Sequence, residues 1–466
     1  MINLKKYLQI EEDPKILDFK LNNVPLWIMI RKNVISNLIF LNEGMENPHV
    51  RISIKNLSLK DRLNYIYYTL IKNPFLANKA DILIVGSTLS NIKKNNFYFN
   101  RLYYKILENF ENSTLLELSH NFSYRLPKKE KTLYIDLIYV ISRILAKVKK
   151  LTKNEIKIIN SFLEFLENRI KKLGLIIDDN FLVTMKNILH IYIKGYKIEK
   201  YLFSKLLEKI NPKIIIINCA HYFAHFPLLL TAKEKGIKTA EYQHGYIGSD
   251  HFAYNFHPNI IDKIKPHLPD YMLTWGKYWS DSINTPSKKI EIGNFLLDDI
   301  LKEVKVDNKP KKTILIISGG KYPDRYIQLG KEIKNYFPGY KLYFRPHPVE
   351  ISSIKERYSE LIRIGYKIDT GNLYTETLPN SEIIISLEKS TVLFEAMLYT
   401  NKVFWITERR NDNLPFYQVK SVKELVDYID KIDKNDLKSS SLNEQLWEKD
   451  PIEKFRRFLE KEIYTK

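Results

Sequence analysis

The sequence predicts an α/β protein with two Rossmann-like domains facing a central cleft, together with an N-terminal helical segment and a helical insertion. Short apolar runs typical of buried parallel strands alternate with helical patterns, and this alternation occurs twice along the 466 residues. A polar stretch containing Pro310, residues 303–312, separates the two series and is predicted to be the linker. A chain of this length is expected to form two or three domains.

The first half is predicted to contain the helical segment, residues 1–75, followed by a Rossmann-like domain, residues 76–302. Within that domain, residues 140–210 are dense in Ile, Leu, Lys and Glu and nearly free of Gly and Pro, which predicts an insertion of two or three helices. The expected strands are Ala80–Ser87, Ser113–Leu118, Pro212–Asn218, Lys238–Tyr242, Tyr271–Trp275 and Lys289–Ile292.

The second half, residues 303–466, is predicted to be another Rossmann-like domain that ends in closing helices. Its expected strands are Thr313–Ser318, Lys341–Phe344, Arg363–Ile368, Glu382–Ser386 and Lys402–Ile406. Its expected helices are Asp324–Tyr336, Thr391–Tyr399, Val419–Ile432 and Gln445–Ile463.

Composition narrows the classes of function. Hydrophobic residues make up 44% of the chain, which excludes a predominantly disordered protein. The one cysteine, Cys219, excludes an internal disulfide framework and a Cys-based zinc site, and we interpret it as a small buried hydrophobe. No set of Asp, Glu and His has metal-ligand spacing, so neither a metal nor a cofactor is predicted. P-loop, zincin and nucleophile-elbow motifs are absent.

Charge and hydropathy bear on location and partners. The N-terminus lacks the apolar core of a secretory signal, and no apolar run approaches the ~20 residues of a membrane span. The sequence therefore predicts a cytoplasmic protein. The net charge of +20 fits attraction to the anionic inner face of the membrane, and equally a compositional bias in which lysines only solvate the surface. No RNA-binding signature is present, so nucleic acid is not predicted as a partner.

Three polar clusters follow predicted strands, where ligands bind in open α/β sheets. The first is Gln243-His244-Gly245, in which His244 could take a proton from a hydroxyl group. His221, just past another strand end, could line the same site. The alternative is a histidine that only satisfies a turn.

The second and third clusters lie in the second half. Arg345 offers a planar fork of donors that suits phosphate, and Pro346 and Pro348 stiffen the loop around His347. The third cluster contains Lys389, Ser390 and Thr391, where we expect Ser390 to cap a helix whose N-terminus favours a bound phosphate. Glu395 could reach a ribose hydroxyl, and the pair Gly319 and Gly320 could let the backbone approach a ligand. A loop or a capped helix without a ligand would explain the same residues.

In this order, Gln-His-Gly, His-Pro and Ser-Thr-x-x-x-Glu-Ala resemble the bacterial surface-polysaccharide glycosyltransferases of GT-B fold. That group includes capsular Kdo transferases, polysialyltransferase-like enzymes and the CDP-glycerol glycerophosphotransferases of teichoic acid synthesis. The resemblance implies that the second domain binds a nucleotide-sugar donor, with Arg345, His347, Ser390 and Thr391 on its phosphates and Glu395 on the ribose. It implies that His244 in the acceptor domain is a general base or a second phosphate contact.

The resemblance thus implies a metal-independent glycosyltransferase that adds a sugar to a hydroxyl of a growing cell-surface polysaccharide, such as capsule or O-antigen. The acceptor would be a glycan or a lipid-linked glycan, and the enzyme would lie in the cytoplasm or on the inner membrane face. Three alternatives stay open: a CDP-polyol phosphotransferase, a nucleotide-sugar epimerase, and a membrane-associated scaffold without enzymatic activity.

Overall fold

The structure, a computed structural model, describes residues 3–45, 54–303, 311–408, 414–434 and 443–465. The chain forms two compact units. The first unit comprises residues 2–42, 51–296 and 449–466, and the second comprises residues 43–50 and 297–448. Most of the predicted linker, residues 304–310, lies outside the described residues.

A parallel sheet forms the centre of the first unit. Its seven strands follow the order β7-β6-β3-β8-β9-β10-β11, which is the Rossmann order 3-2-1-4-5-6 with one further strand at the edge. The remaining strands form two antiparallel pairs, β1 with β2 and β4 with β5. In chain order the strands are β1 (Lys20–Leu21), β2 (Val24–Pro25), β3 (Ile82–Ser87), β4 (Asn91–Lys94), β5 (Phe97–Asn100), β6 (Ser113–Leu118), β7 (Thr132–Tyr134), β8 (Ile214–Ile217), β9 (Lys238–Tyr242), β10 (Tyr271–Thr274) and β11 (Lys288–Glu291).

Helices cover this sheet because its central strands are apolar on both faces. Leu83 and Val85 of β3 belong to one core with Phe203 and Leu207 of the long helix that precedes β8. The predicted helical insertion is confirmed as three helices between β7 and β8. The α-helices of the unit are Leu4–Leu8, Leu26–Asn42, Leu59–Ile71, Tyr104–Asn109, Asp136–Val148, Lys153–Lys172, Phe181–Ile210, Phe226–Glu234, Ile261–Ile264, Lys277–Asp281 and Pro451–Phe458.

The second unit repeats the same topology with six parallel strands in the order β14-β13-β12-β15-β16-β17, again the Rossmann order. Ile314 and Ile316 of β12 pack with Tyr326 and Ile333 of the following helix. The strands are β12 (Thr313–Ile317), β13 (Lys341–Arg345), β14 (Lys367–Ile368), β15 (Ile383–Ser386), β16 (Val403–Ile406) and β17 (Tyr417–Val419). The α-helices are Phe295–Glu303 at the boundary, then Pro323–Tyr336, Ile354–Arg357, Ser359–Arg363, Thr391–Ala396, Val422–Asp433 and Asn443–Leu446.

The predicted α/β class with two Rossmann-type sheets is confirmed, but the bounds or type of several predicted elements are wrong. The strand expected at Arg363–Ile368 is mostly a helix and a turn, because Arg363 ends a helix and Gly365 has a left-handed φ of 104°. The helix expected from Val419 begins at Val422, since Ser421 caps it by accepting from the Glu424 N–H at 3.2 Å.

The end of the chain belongs to the first unit and not, as predicted, to the second. The helix expected over Gln445–Ile463 is interrupted at Asp450, which has a left-handed φ of 53° before Pro451. Beyond that break, the Phe455 ring packs against Phe110 at 5.2 Å between centroids. Lys288 of β11 forms a 2.6 Å ion pair with Glu462. Residues 449–466 are therefore part of the first unit's core and edge.

A buried ion pair fastens the N-terminal segment to the first unit. The side chains of Glu11 and Arg31 are 0% and 1% exposed, and the Arg31 Nε donates to Glu11 Oε1 at 2.6 Å. Other guanidinium nitrogens of Arg31 donate to the carbonyls of Phe252 and Asn255, both at 2.8 Å. Both charges are thereby hydrogen-bonded, which a buried pair requires.

Glu11→Gln is expected to lower the free energy of unfolding by about 3–5 kcal/mol, because the Arg31 charge stays buried without its counter-charge. Urea denaturation monitored by circular dichroism measures this change. Asp18→Asn is the matched control, since Asp18 pairs with Lys263 where both side chains are about half exposed, and we expect it to cost less than about 1 kcal/mol. Equal costs for both variants would contradict the structural role of the buried pair.

Candidate functional site

Each sheet has a point where its strand order reverses, and ligands of such sheets bind beyond the carboxyl ends of the strands at that point. In the first unit this point lies between β3 and β8, whose ends are aligned by the pairing of Val85 with Ile217. In the second unit it lies between β12 and β15, where Ile316 pairs with Ile385. The predicted polar clusters follow these strands or their neighbours β9 and β13.

Glu241, on β9, organises the candidate site of the first unit. Its side chain is fully buried, and Oε2 accepts from the His221 backbone N–H at 2.7 Å and lies 2.6 Å from His221 Nδ1. Oε1 accepts from the Tyr254 hydroxyl at 2.7 Å. Burial opposes ionisation, but the neighbouring His221 and His244 outweigh it and hold the pKa of Glu241 well below its usual range. The carboxylate is therefore a fixed negative charge.

His244 lies directly after β9, between this carboxylate and a thiol. Its Nδ1 is 3.3 Å from the Tyr254 hydroxyl and 3.6 Å from Glu241 Oε1, and its Nε2 is 3.7 Å from Cys219 Sγ. Burial alone would lower its pKa, but Cys219 and Glu241 outweigh this effect and raise the pKa of His244 to about 10. At neutral pH the ring is an imidazolium, which suits a phosphate contact better than a general base.

Cys219 was not predicted as part of this site. It follows β8 with a left-handed φ of 57°, which is uncommon for a residue with a side chain. The residue is partly exposed, and the Asn218 amide donates to its sulfur at 3.5 Å. The interpretation of Cys219 as a purely buried hydrophobe is wrong. Its position at a strand end was the available signal, but its approach to His244 depends on the pairing of β8 with β9.

His221 does not line an open surface, contrary to the prediction. The residue is fully buried, and its Nε2 lies 3.0 Å from the Thr285 hydroxyl and 3.1 Å from that of Ser287. It therefore positions Glu241. Gln243 is also buried and has a similar role, since its Oε1 accepts from the Trp275 N–H at 2.9 Å and its Nε2 donates to the Gly245 carbonyl at 3.0 Å. These bonds fix the turn that carries His244.

The candidate site of the second unit contains two buried polar atoms without a hydrogen-bond partner among the described residues: Ser390 Oγ and Glu388 Oε1. Ser390 occupies the N-cap position of the helix, but its hydroxyl makes no capping bond, contrary to the prediction. That helix is also shorter than predicted, since it ends at Ala396. Burial raises the pKa of Glu388, which lies 3.8 Å from Lys321 Nζ.

The backbone N–H groups of the two glycines after β12, Gly319 and Gly320, bond to side chains of the protein. The Gly319 N–H donates to Glu388 Oε2 at 2.7 Å, and a Cβ added at Gly319 would come within 2.5 Å of that carboxyl group. The Gly320 N–H donates to the Ser318 hydroxyl at 2.9 Å. The close backbone approach predicted here is thus made by Glu388, which sequence analysis did not select. Lys389 lies over the Trp405 ring, 5.2 Å from its centroid.

Arg345 and His347 follow β13 as predicted. Arg345 Nη1 donates to Asp369 at 2.5 Å, to the Gly371 carbonyl at 3.0 Å and to the Thr377 hydroxyl at 3.1 Å. These bonds hold the segment between β14 and β15. His347 Nδ1 accepts from the Val349 N–H at 3.4 Å, so the proton of the neutral ring is on Nε2.

Thr391 and Glu395 lie on the helix after β15. Thr391 is its first residue, and its predicted phosphate contact stays a prediction. Glu395 is 2% exposed and accepts from the Tyr374 hydroxyl at 3.1 Å. Its predicted ribose contact likewise stays a prediction.

No group of three or more His, Cys, Asp or Glu side chains in the described ranges is arranged to hold a metal ion. Of the helices in the described part of the chain, none is long and apolar enough to cross a membrane.

No family model and no curated protein matches the chain. Among solved structures, it is similar to a UDP-GlcNAc 2-epimerase from Methanocaldococcus jannaschii, with 15% identity, a TM-score of 0.46, and coverage of 81% of this chain and 99% of that chain. It is also similar to the enzyme of the same name from Neisseria meningitidis bound to UDP-GlcNAc, with 12% identity, a TM-score of 0.43, and coverage of 81% of this chain and 98% of that chain. For the wall teichoic acid polymerase TagF, the identity is 11% and the TM-score 0.37, with coverage of 94% of this chain and 93% of that chain. Likenesses this loose assign no activity to the chain.

The contact between Cys219 and His244 gives a direct chemical test, because Cys219 is the one cysteine of the sequence. The Cys219 sulfur lies 3.7 Å from His244 Nε2, and a cationic neighbour makes a cysteine more reactive toward electrophiles. We expect iodoacetamide to label the folded protein at pH 7 roughly tenfold faster than it labels His244→Gln, a ratio equivalent to about 1.4 kcal/mol. The labelling rate is measured by intact-mass spectrometry.

The difference should disappear above about pH 10, where His244 loses its charge. His251→Gln is the control, since His251 is bonded to the Tyr222 hydroxyl at 2.8 Å and its loss leaves the imidazolium in place. Identical labelling rates for the unchanged protein and His244→Gln would disprove the charge assigned to His244.

Proposed function

We propose that the chain is a glycosyltransferase that moves a sugar from a nucleotide-activated donor to a hydroxyl group of a glycan acceptor, with the donor on the second unit. The observation that carries the proposal is the pair of buried atoms, Ser390 Oγ and Glu388 Oε1, that have no hydrogen-bond partner among the described residues, although Glu388 Oε1 lies 3.8 Å from Lys321 Nζ. An unpaired buried polar group costs about 1–3 kcal/mol. A ligand that supplies the missing partners recovers that cost.

A nucleotide offers a partner for both atoms. The Ser390 hydroxyl can donate to a phosphate oxygen, and Glu388 can bond a ribose hydroxyl, as acidic side chains do in other Rossmann-like domains. Glu388 is a better candidate for the ribose than Glu395, because Glu388 Oε1 has no hydrogen-bond partner among the described residues, whereas Glu395 Oε1 accepts from the Tyr374 hydroxyl. Lys321, near Glu388, and His347, after β13, add positive charge or a donor to the same edge of the sheet.

In the proposed reaction the acceptor hydroxyl oxygen forms a bond to the anomeric carbon of the donor sugar, and the hydroxyl proton passes to water. The bond from that carbon to the phosphate oxygen breaks, and negative charge develops on the departing phosphate. Hydrogen-bond donors fixed before the reaction stabilise this charge without reorganising. We propose Ser390, Thr391 and His347 for this role, and we propose the His244 imidazolium as a phosphate contact on the first unit.

The order of the histidine and Ser-Thr motifs supports a cell-surface polysaccharide, such as capsule or O-antigen, as the product. We propose a glycan or lipid-linked glycan as the acceptor.

Thermal-shift measurements with CMP, CDP, UDP and GDP test the donor site. A ligand present at 100 times its dissociation constant stabilises the folded protein by about 2.7 kcal/mol, so one nucleotide should raise Tm by several degrees. His347→Ala and Ser390→Ala should abolish this rise. Ser390→Ala should not lower Tm without nucleotide and should raise it slightly, because the removed hydroxyl is buried without a hydrogen-bond partner among the described residues.

Ser421→Ala is the matched control. Its hydroxyl caps a helix of the same unit, accepting from the Glu424 N–H, and its loss is expected to cost about 1 kcal/mol. This variant should lower Tm but keep the nucleotide-induced rise. A rise with CMP would indicate an acidic sugar donor, with UDP or GDP an ordinary sugar, and with CDP the alternative polyol phosphotransferase. No rise with any nucleotide would refute the donor site.

A further inference from the structure

Helix Leu59–Ile71 of the first unit exposes the apolar side of its sequence. Its buried residues are Tyr65 and Thr69. Five large apolar or aromatic side chains recur at i, i+4, i+7, i+8 and i+11, which places them on one face of the helix. They are between 52% and 72% exposed: Leu59, Leu63, Ile66, Tyr67 and Leu70.

A second helix of the unit, Asp136–Val148, lies beside the first and ends in further exposed apolar residues. The Tyr65 hydroxyl donates to Asp136 at 3.2 Å. The charge of Arg143 also reaches that hydroxyl, where it opposes the rise in pKa that burial causes. Past Arg143, the exposed side chains are Ile144, Leu145 and Val148, and Val148 is 82% exposed. We call the five side chains on the first helix the apolar face.

Basic residues border the apolar face. The stretches 59–72 and 136–150, both fully described, contain Lys60, Arg62, Lys72, Arg143, Lys147, Lys149 and Lys150. Their acidic residues are Asp61 and Asp136. Asp136 is buried, and Asp61 accepts from the Ser58 hydroxyl at 2.6 Å. Within these two stretches, basic residues therefore outnumber the exposed acidic residue, Asp61.

We propose that the apolar face docks on an anionic lipid bilayer, with its aliphatic side chains at the boundary of the acyl chains and its lysines and arginines among the headgroups. Amphipathic helices with basic polar sides bind membranes in this way, and each basic residue near an anionic surface contributes about 1 kcal/mol. A second copy of the chain is a poorer occupant, because it would bring two positively charged rims together. The inference does not depend on nucleotide binding.

Vesicle flotation of the full-length protein tests the proposal. We expect binding to vesicles that contain phosphatidylglycerol and weak binding to vesicles of phosphatidylcholine alone. Leu63→Glu combined with Ile66→Glu should reduce the bound fraction at least tenfold, and Lys147→Glu combined with Lys150→Glu should reduce it at low salt. All four substituted side chains are solvent-exposed, so Tm and any nucleotide-induced rise should persist in both variants.

Ile362→Glu is the control, because Ile362 is a 41% exposed apolar residue in the second unit, and its binding should be unchanged. Two results would overturn the proposal. One is equal binding of the unchanged protein and Leu63→Glu/Ile66→Glu to anionic vesicles. The other is a dimer, seen by size-exclusion chromatography with light scattering, that the same substitutions dissociate while vesicle binding is absent.

Discussion

The ionised carboxylate of Glu241 is the constraint on which the candidate site of the first unit depends. A buried charge is tolerated only when its surroundings bond both oxygens, and here His221 and Tyr254 do so. The carboxylate and these two partners come from three separate segments: strand β9 carries Glu241, the loop after β8 carries His221, and the loop that Arg31 bonds carries Tyr254. Any displacement of one segment would leave the carboxylate short of a partner. The position of His244 thus depends on the carboxylate of Glu241 and on the Tyr254 hydroxyl bonded to it.

The two units share the Rossmann strand order but carry different functional groups at their strand ends. The switch point of the first unit holds a positive imidazole with a thiol, whereas that of the second holds unpaired hydroxyl and carboxyl oxygens. An unusual backbone feature lies beside the functional side chains in each unit. In the first unit Cys219 has a left-handed φ, and in the second unit Gly319 leaves room for the Glu388 carboxyl group. The shared fold supplies the location and the local residues supply the chemistry.

Much of the fold could be predicted from the sequence because buried parallel strands are nearly continuous apolar runs. β6 and β9 have the predicted bounds. The hairpin of β4 and β5 was not predicted because each strand has only four residues, and its turn depends on Asn95 and Asn96 in the left-handed region. The assignment of the last helix failed because it depends on a contact between Phe455 and Phe110, which are distant in sequence.

The candidate sites were predicted less completely than the fold. His244 and Ser390 could be found, since each follows a recognisable strand. Their partners could not be found from the sequence. Cys219 comes close to His244 only because β8 and β9 pair. Glu388 differs from Glu395 in having an oxygen, Oε1, without a hydrogen-bond partner among the described residues, whereas Glu395 Oε1 accepts from Tyr374. Sequence patterns locate strand ends, whereas the three-dimensional structure is needed to show which buried polar atoms have hydrogen-bond partners.

The return of residues 449–466 to the first unit makes the second unit, in chain terms, an insertion within the first. During synthesis, all strands of the second unit leave the ribosome before the helix Pro451–Phe458 does, so this unit can complete its sheet early. The first unit must wait, with the apolar surface around Phe110 and Tyr271 uncovered until Phe455 and Phe458 arrive. A chain truncated by a few dozen residues would therefore damage the unit that was made first.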